Sequence, residues 1–140
     1  MYGFFNRILH INMSDRSFEY ETLSDQLLQT TLGGKGLGAH LLARENPPGV
    51  EPFSPDNRFI LAVGPLTGTK VWSQSRFAAF SKSPATGGYG EAYCGGSLAP
   101  QIKGCGVDAV VIRGAADSLT FLTITPEGVA FHDASSMRGS

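Results

Sequence analysis

Leu32-Gly33-Gly34-Lys35-Gly36-Leu37-Gly38 is the stretch on which the reading of the fold turns. A glycine run that follows a strand and opens a helix marks a dinucleotide-binding βαβ unit. Here the residues before it read as helix: Ser24 suits an N-cap, and Leu27, Leu28 and Leu32 fall on one face of Asp25 to Thr31. After it, Leu37, Leu41 and Leu42 recur at helical spacing until Asn46, Pro47 and Pro48 stop the pattern. The glycines therefore separate two helices, and neither a Rossmann fingerprint nor a Walker pattern fits them.

Outward from this run the chain is mostly strand. Phe5 to Asn12 carries β-formers at most positions, Ser14-Asp15-Arg16 makes a turn, and Phe18 to Thr22 alternates, so the chain opens on a hairpin. Gly49 to Asn57, with Pro52 and Pro55, reads as a surface loop. Phe59 to Val63 and Arg76 to Ser81 read as strands on either side of a polar stretch that ends at Ser75. Gly87 to Gly96 reads as a third glycine loop, and Ser97 to Lys103 has helical character that Pro100 breaks early. Val107 to Arg113, Leu119 to Thr125 and Val129 to His132 predict a closing meander. Strands in succession with two short helices inserted between them predict an α+β, β-rich domain over a doubly wound sheet.

Composition sets the bounds. A chain of 140 residues fits one domain, and 41% apolar with 16% charged residues is a globular balance. Eleven basic and twelve acidic side chains leave a net charge of -1, which argues against nucleic-acid and membrane-surface partners. Asn6, Arg7 and His10 interrupt the apolar residues near the N-terminus, so no signal core or membrane span is read there, and a cytoplasmic location is expected. Cys94 and Cys105 fit neither a zinc knuckle nor a redox pair, and reduced thiols are expected.

Eighteen glycines, in clusters rather than a period, mark places where the backbone turns tightly or approaches something closely. Three such loops, Gly33 to Gly38, Gly64 to Thr69 and Gly87 to Gly96, could offer main-chain amides to phosphate oxygens. Lys35, Arg58, Lys70, Arg76 and Lys82 lie in or near them, and the ligand this chemistry suggests is a phosphorylated cofactor. The alternative for each loop is a plain turn, and for Arg76 a rim salt bridge. A nucleotide-binding protein is a weaker reading that rests on the loops alone. His10, His40 and His132 show no ligand spacing and read as structural or surface residues, and no acidic pair stands out for catalysis.

Taken in order, the segments resemble a known arrangement. Leu32 to Gly38, Gly64-Pro65-Leu66-Thr67-Gly68-Thr69, Arg76, Lys82-Ser83-Pro84, Thr86-Gly87, Gly95-Gly96, and Gly106 to Ile112 with Gly114 are similar to the N-terminal domain of aldehyde ferredoxin oxidoreductases. The resemblance covers nearly the whole chain. It implies a β-rich base for a tungsten or molybdenum bis-pterin cofactor, tungstopterin or molybdopterin, whose phosphates are linked through magnesium. On it, Arg76 matches the arginine that contacts the pterin. Tyr93-Cys94-Gly95-Gly96 matches the loop that approaches pterin and magnesium, with the Tyr93 main-chain carbonyl as the magnesium contact. Lys35 stands where arginine is common, and Tyr93-Cys94 where Asn-Ser is frequent.

The resemblance also implies what residues 1–140 do not carry. The four cysteines of a four-iron four-sulfur cluster belong to later helical domains, two cysteines cannot supply them, and the first domain itself is expected to continue past Ser140. In the whole enzyme the expected chemistry is oxidation of an aldehyde or related carbonyl compound, with electrons passed to a ferredoxin-like carrier. Residues 1–140 alone are not expected to be active. A different class of function, a stand-alone binding or assembly module on the same fold, is the alternative. If a further portion covers one face of the sheet, the chain by itself presents an apolar patch and self-associates as a homo-oligomer.

Overall fold

The structure is a computed structural model that describes residues 2–139. β1 (Arg7–Asn12) and β2 (Ser17–Thr22) form the expected antiparallel hairpin, with Leu9 opposite Tyr20 and Ile11 opposite Phe18. Ser24 caps α1 (Asp25–Thr31) by accepting the Leu27 N–H, and Leu32 ends it in the left-handed conformation at φ 58°. α2 (Gly34–Glu45), β3 (Phe59–Val63), β4 (Arg76–Lys82) and β5 (Tyr89–Gly95) follow. The chain closes with α3 (Leu98–Gly104), β6 (Ala109–Arg113), β7 (Thr120–Thr125) and β8 (Gly128–Asp133).

Six strands make one sheet in the order β2-β1-β6-β3-β4-β5, in which only β1 and β6 run parallel. Because successive strand residues point to opposite faces, each strand feeds two cores. Ile8, Ile60, Ala62, Ala78, Phe80, Ala109 and Val111 face Leu28 of α1 and Leu37, Leu41 and Leu42 of α2. Leu9, Ile11, Val63 and Val110 face Ala99 and Ile102 of α3, and Leu122, Ile124, Val129 and Phe131 of the β7–β8 hairpin pack against the same cluster. The domain is therefore α+β, as its sequence reads. Among the described residues, no helix is long and apolar enough to cross a membrane.

Four expectations need correction. The run Gly33 to Gly38 is not a loop: Gly33, at φ 72°, is the junction, and the other residues are the first turn of α2. A Cβ at Gly38 would lie 2.1 Å from the Phe80 ring, and one at Gly36 2.1 Å from the Thr31 carbonyl oxygen. The glycines thus let α2 lie close against the sheet and against α1, which offsets a helix-interior penalty of about 1 kcal/mol each. Second, Tyr89–Gly95 is not loop but the edge strand β5, paired with β4 along its length after a turn closed by Ser83 N–H to the Gly88 carbonyl. Its glycines obscured an alternation that pairing with β4 completes.

Third, Pro100 does not break the helix, so a third α-helix joins the expected two among the described residues. It is the third residue of α3, in the first turn, where a missing N–H forfeits no intrahelical bond. Fourth, there is no closing meander, because β6 inserts between β1 and β3 and only β7 and β8 pair as a separate hairpin. Apolarity identified β6 as a strand and carried no information on its neighbours.

Candidate functional site

The β4–β5 register decides which side chains can act together. Arg76 stands opposite Gly95, Ala78 opposite Tyr93, Phe80 opposite Glu91 and Lys82 opposite Tyr89. Ala78 and Phe80 lie in the core beneath α1 and α2, so Tyr89, Glu91, Tyr93 and Gly95 share the face on that side. Lys35, in the first turn of α2, reaches across to this face: its Nζ lies 2.8 Å from Glu91 Oε1. The Tyr89 hydroxyl donates to Glu91 Oε2 at 2.7 Å. Hydrogen bonds from Lys35 and then Tyr89 hold the Glu91 carboxyl below the usual glutamate range. Glu91 raises Lys35 in return, and burial followed by Glu91 raises the Tyr89 phenol.

At the other end of the row, Arg76 is exposed, and its guanidinium makes no ion pair or hydrogen bond among the described residues. Tyr93 is 48% exposed beside it. Gly96 follows at φ +106°, with open space where a side chain would start, and its carbonyl accepts from the Ser75 hydroxyl. The structure therefore brings Lys35, Tyr93, Gly95 and Arg76 to one face. It puts the Cys94 side chain on the other, opposite Phe77. Cys94 is exposed, and its thiol donates to the neighbouring Gly95 carbonyl.

The Gly64 to Thr69 segment turns inward on itself. Thr67 is buried and its hydroxyl bonds the Gln74 carbonyl, while the Gly68 N–H donates to Gln74 Oε1 at 2.8 Å. A cavity of about 380 Å³ lies between this loop, Phe4 and Phe5, and Pro100 and Lys103 of α3. Lys103 Nζ sits 2.5 Å from Asp108 Oδ1, and the pair is almost wholly removed from water. Asp108 also accepts the Phe5 main-chain N–H, and Lys103 lies over the Phe4 and Phe5 rings. These contacts pin the N-terminal segment to the turn between α3 and β6. Sequence reading missed it, because nothing in Gly-Val-Asp ahead of an apolar strand signals a buried cation.

His10 occupies a second ionic cluster. Its Nε2 lies 2.8 Å from Glu21 Oε2 and its Nδ1 3.8 Å from Glu45 Oε2. Among the described residues, this is the trio whose ligand atoms converge within 4.8 Å. Two guanidiniums already neutralise it: Arg44 bonds both Glu21 oxygens at 2.7 Å, and Arg58 Nε, which has no hydrogen-bond partner among the described residues, lies 3.9 Å from Glu45. The Arg44 bond holds Glu21 below the usual range. A dication would have to compete with two arginines, so the cluster reads as a structural network joining β1, β2 and α2.

Comparison with known proteins places this geometry. The family model for the aldehyde ferredoxin oxidoreductase N-terminal domain matches residues 8–140. Tungsten-containing aldehyde ferredoxin oxidoreductases of Pyrococcus abyssi and Pyrococcus horikoshii are 39% and 37% identical over 139 residues, 99% of this chain and 23% of theirs. The WOR-like subunit of an aliphatic sulfonate oxidoreductase of Pyrococcus furiosus is 29% identical over 99% of the chain and 22% of its own. Among solved structures, the active site complex BamBC of benzoyl coenzyme A reductase, in complex with 1,5 dienoyl-CoA, superposes with a TM-score of 0.94 at 33% identity, over 99% of this chain and 21% of that one. The chain thus spans about a quarter of the length of these relatives. Fold, sequence and the extent of the match agree: the chain belongs to the aldehyde ferredoxin oxidoreductase family and corresponds to its N-terminal domain.

Proposed function

We propose that residues 1–140 form part of the cofactor-holding base of a tungsten- or molybdenum-dependent oxidoreductase, and that the β4–β5 face beneath α2 is the side turned to the cofactor. The observation that carries this reading is Arg76: an exposed guanidinium, unpaired among the described residues, on the same face as Tyr93 and Gly95. A fixed fork of donors that stays charged suits phosphate or a polar heterocycle. Tyr93 offers an aromatic surface beside it, and Gly95 and Gly96 let the main chain come near. The residues present therefore fit an anionic pterin. When bound, the metal supplies the redox chemistry, and the protein supplies position and electrostatics.

In this reading Arg76 is the principal anchor and Tyr93, Gly95 and Gly96 line the approach, with the Tyr93 main-chain carbonyl directed to magnesium. Lys35 contributes only after release from Glu91. Cys94 acts through its main chain, since its side chain lies on the far face. The relatives bear names with different substrates, among them an aldehyde oxidoreductase, an aliphatic sulfonate oxidoreductase and glyceraldehyde-3-phosphate:ferredoxin oxidoreductase. A domain common to these proteins does not by itself select the substrate. Oxidation of an aldehyde or related carbonyl compound, the iron-sulfur cluster and the ferredoxin-type carrier all belong to the whole enzyme. The test is metal and pterin content of the full gene product made with tungsten and molybdenum supplied. Arg76→Ala is expected to lower occupancy about ten- to a hundredfold under limiting cofactor, the loss of a charge-assisted contact. A folded, metal-free wild-type product overturns the reading.

A further inference from the structure

The row of side chains under α2 contains one group that a cofactor-phosphate site does not call for. Glu91 puts a carboxylate on the same strand face as Tyr93 and Gly95, two and four residues away, which is about 7 and 13 Å along the strand. Its oxygens are divided: Oε2 takes the Tyr89 hydroxyl at 2.7 Å, and Oε1 takes Lys35 Nζ at 2.8 Å. Lys35 and Arg76 are consequently unequal. Arg76 is unpaired among the described residues, whereas Lys35 is engaged by an anion of the protein's own.

We infer that Glu91 is an internal counter-ion that sets the anion affinity of this face, by holding Lys35 away from incoming phosphate and by setting a fixed negative charge beside it. The inference rests on the assignment of the face to a phosphorylated cofactor. Glu91 is the shorter side chain, tethered by Tyr89 from its own strand and 26% exposed along its side chain, while Lys35 is 63% exposed on a flexible four-carbon stem. An ammonium can turn from one oxygen to another at little cost, so an arriving phosphate competes with Glu91 for Lys35. It does not compete for Arg76. The pair is solvent-facing, so its effect is modest and falls with salt. Glu91 is a positioning residue that tunes a cation, and it does not touch the ligand.

A double-mutant cycle on the 140-residue chain tests this, with inorganic pyrophosphate as the probe and calorimetric titration at about 20 mM salt as the readout. Glu91→Gln is expected to bind pyrophosphate about three- to tenfold more tightly than wild type, and the gain is expected to vanish near 1 M salt, where the Debye length is about 3 Å. Lys35→Ala is expected to cost more affinity in the Glu91→Gln background than in wild type. Thermal melts of each variant confirm that all are folded. Glu91→Gln binding no more tightly than wild type overturns the inference, as does an equal effect of Lys35→Ala in both backgrounds. Arg76→Ala separates the two levels of the argument: if it leaves binding intact, the site assignment fails; if it abolishes binding while Glu91→Gln changes nothing, only the counter-ion role fails. Absence of pyrophosphate binding by every variant overturns both.

Discussion

Lys103 lies nine-tenths buried, 2.5 Å from a carboxylate that water does not reach, whereas Arg76 stands exposed at the start of β4 with its guanidinium unpaired among the described residues. The first region engages its charges within the protein: Asp108 accepts Lys103 and the Phe5 N–H, and Lys103 covers two aromatic rings. The second keeps a cation free beside Tyr93 and Gly95. An unpaired charge is tolerable only where water can solvate it, so the exposed edge can hold a cation in reserve and the interior cannot. Lys35 stands between the two, exposed but engaged.

The comparison breaks most directly at Asp108. Asp108→Ala leaves an ammonium buried without its counter-ion and detaches the N-terminal segment, an expected loss of about 3 to 5 kcal/mol. Urea unfolding checks it, and a loss below about 1 kcal/mol would mean that the buried pair does not hold the fold. Next in size is Gly38→Ala. The added methyl meets Phe80 at 2.1 Å, and overpacking of this kind costs about 1 to 3 kcal/mol. Partial rescue by Phe80→Leu, with pyrophosphate affinity unchanged in the single mutant, would show that this glycine serves helix packing and not a ligand.

Much of this division was legible in the sequence and some was not. The β1–β2 hairpin, the Ser24 cap and strands β3 and β4 follow from alternation and capping, which are local. The position of β6 between β1 and β3 was not, because a run such as Ala109–Arg113 records burial and leaves its partners unspecified. Glycine misled twice: the same residue type that makes loops allowed α2 to approach Phe80 and β5 to pair at an edge. The place of Arg76 at the start of a strand after a polar stretch was readable, but a rim salt bridge was an equally open reading of it, and the choice between the two depends on neighbours that only the fold supplies. The Lys35–Glu91 pair joins residues 56 apart in sequence, and only the fold brings them together.

A smaller effect is expected at Glu21, on the half-exposed margin between the two regimes. Arg44 lowers its pKa in the folded state, so its contribution is fully present above the ordinary glutamate value of 4.5 and is lost as pH falls below it. Glu21 and Arg44 are each about a third exposed, and solvent screening limits the pair to about 0.5 kcal/mol. Glu21→Gln should therefore be slightly less stable than wild type at pH 7, and the difference should shrink as the solution is acidified through that range. A difference that grows on acidification would place the dominant coupling of this cluster elsewhere.

The smallest expected change in stability belongs to Arg76→Ala. The guanidinium has no protein partner among the described residues, it is exposed, and its removal opens no cavity in either core. Surface substitutions of this kind stay within about 0.5 kcal/mol, so the urea midpoint of the 140-residue chain should be nearly unchanged. Pyrophosphate affinity should nevertheless fall about tenfold or more, because a charge-assisted hydrogen bond to phosphate has no substitute on that end of the row. Arg76→Lys separates charge from geometry: a point charge should restore part of the affinity, and the bidentate fork only arginine provides should account for the remainder. If Arg76→Ala instead destabilises the chain by more than about 1 kcal/mol, the residue belongs with Lys103 as part of the fold, and the contrast between the buried and exposed cations would no longer separate structure from ligand binding.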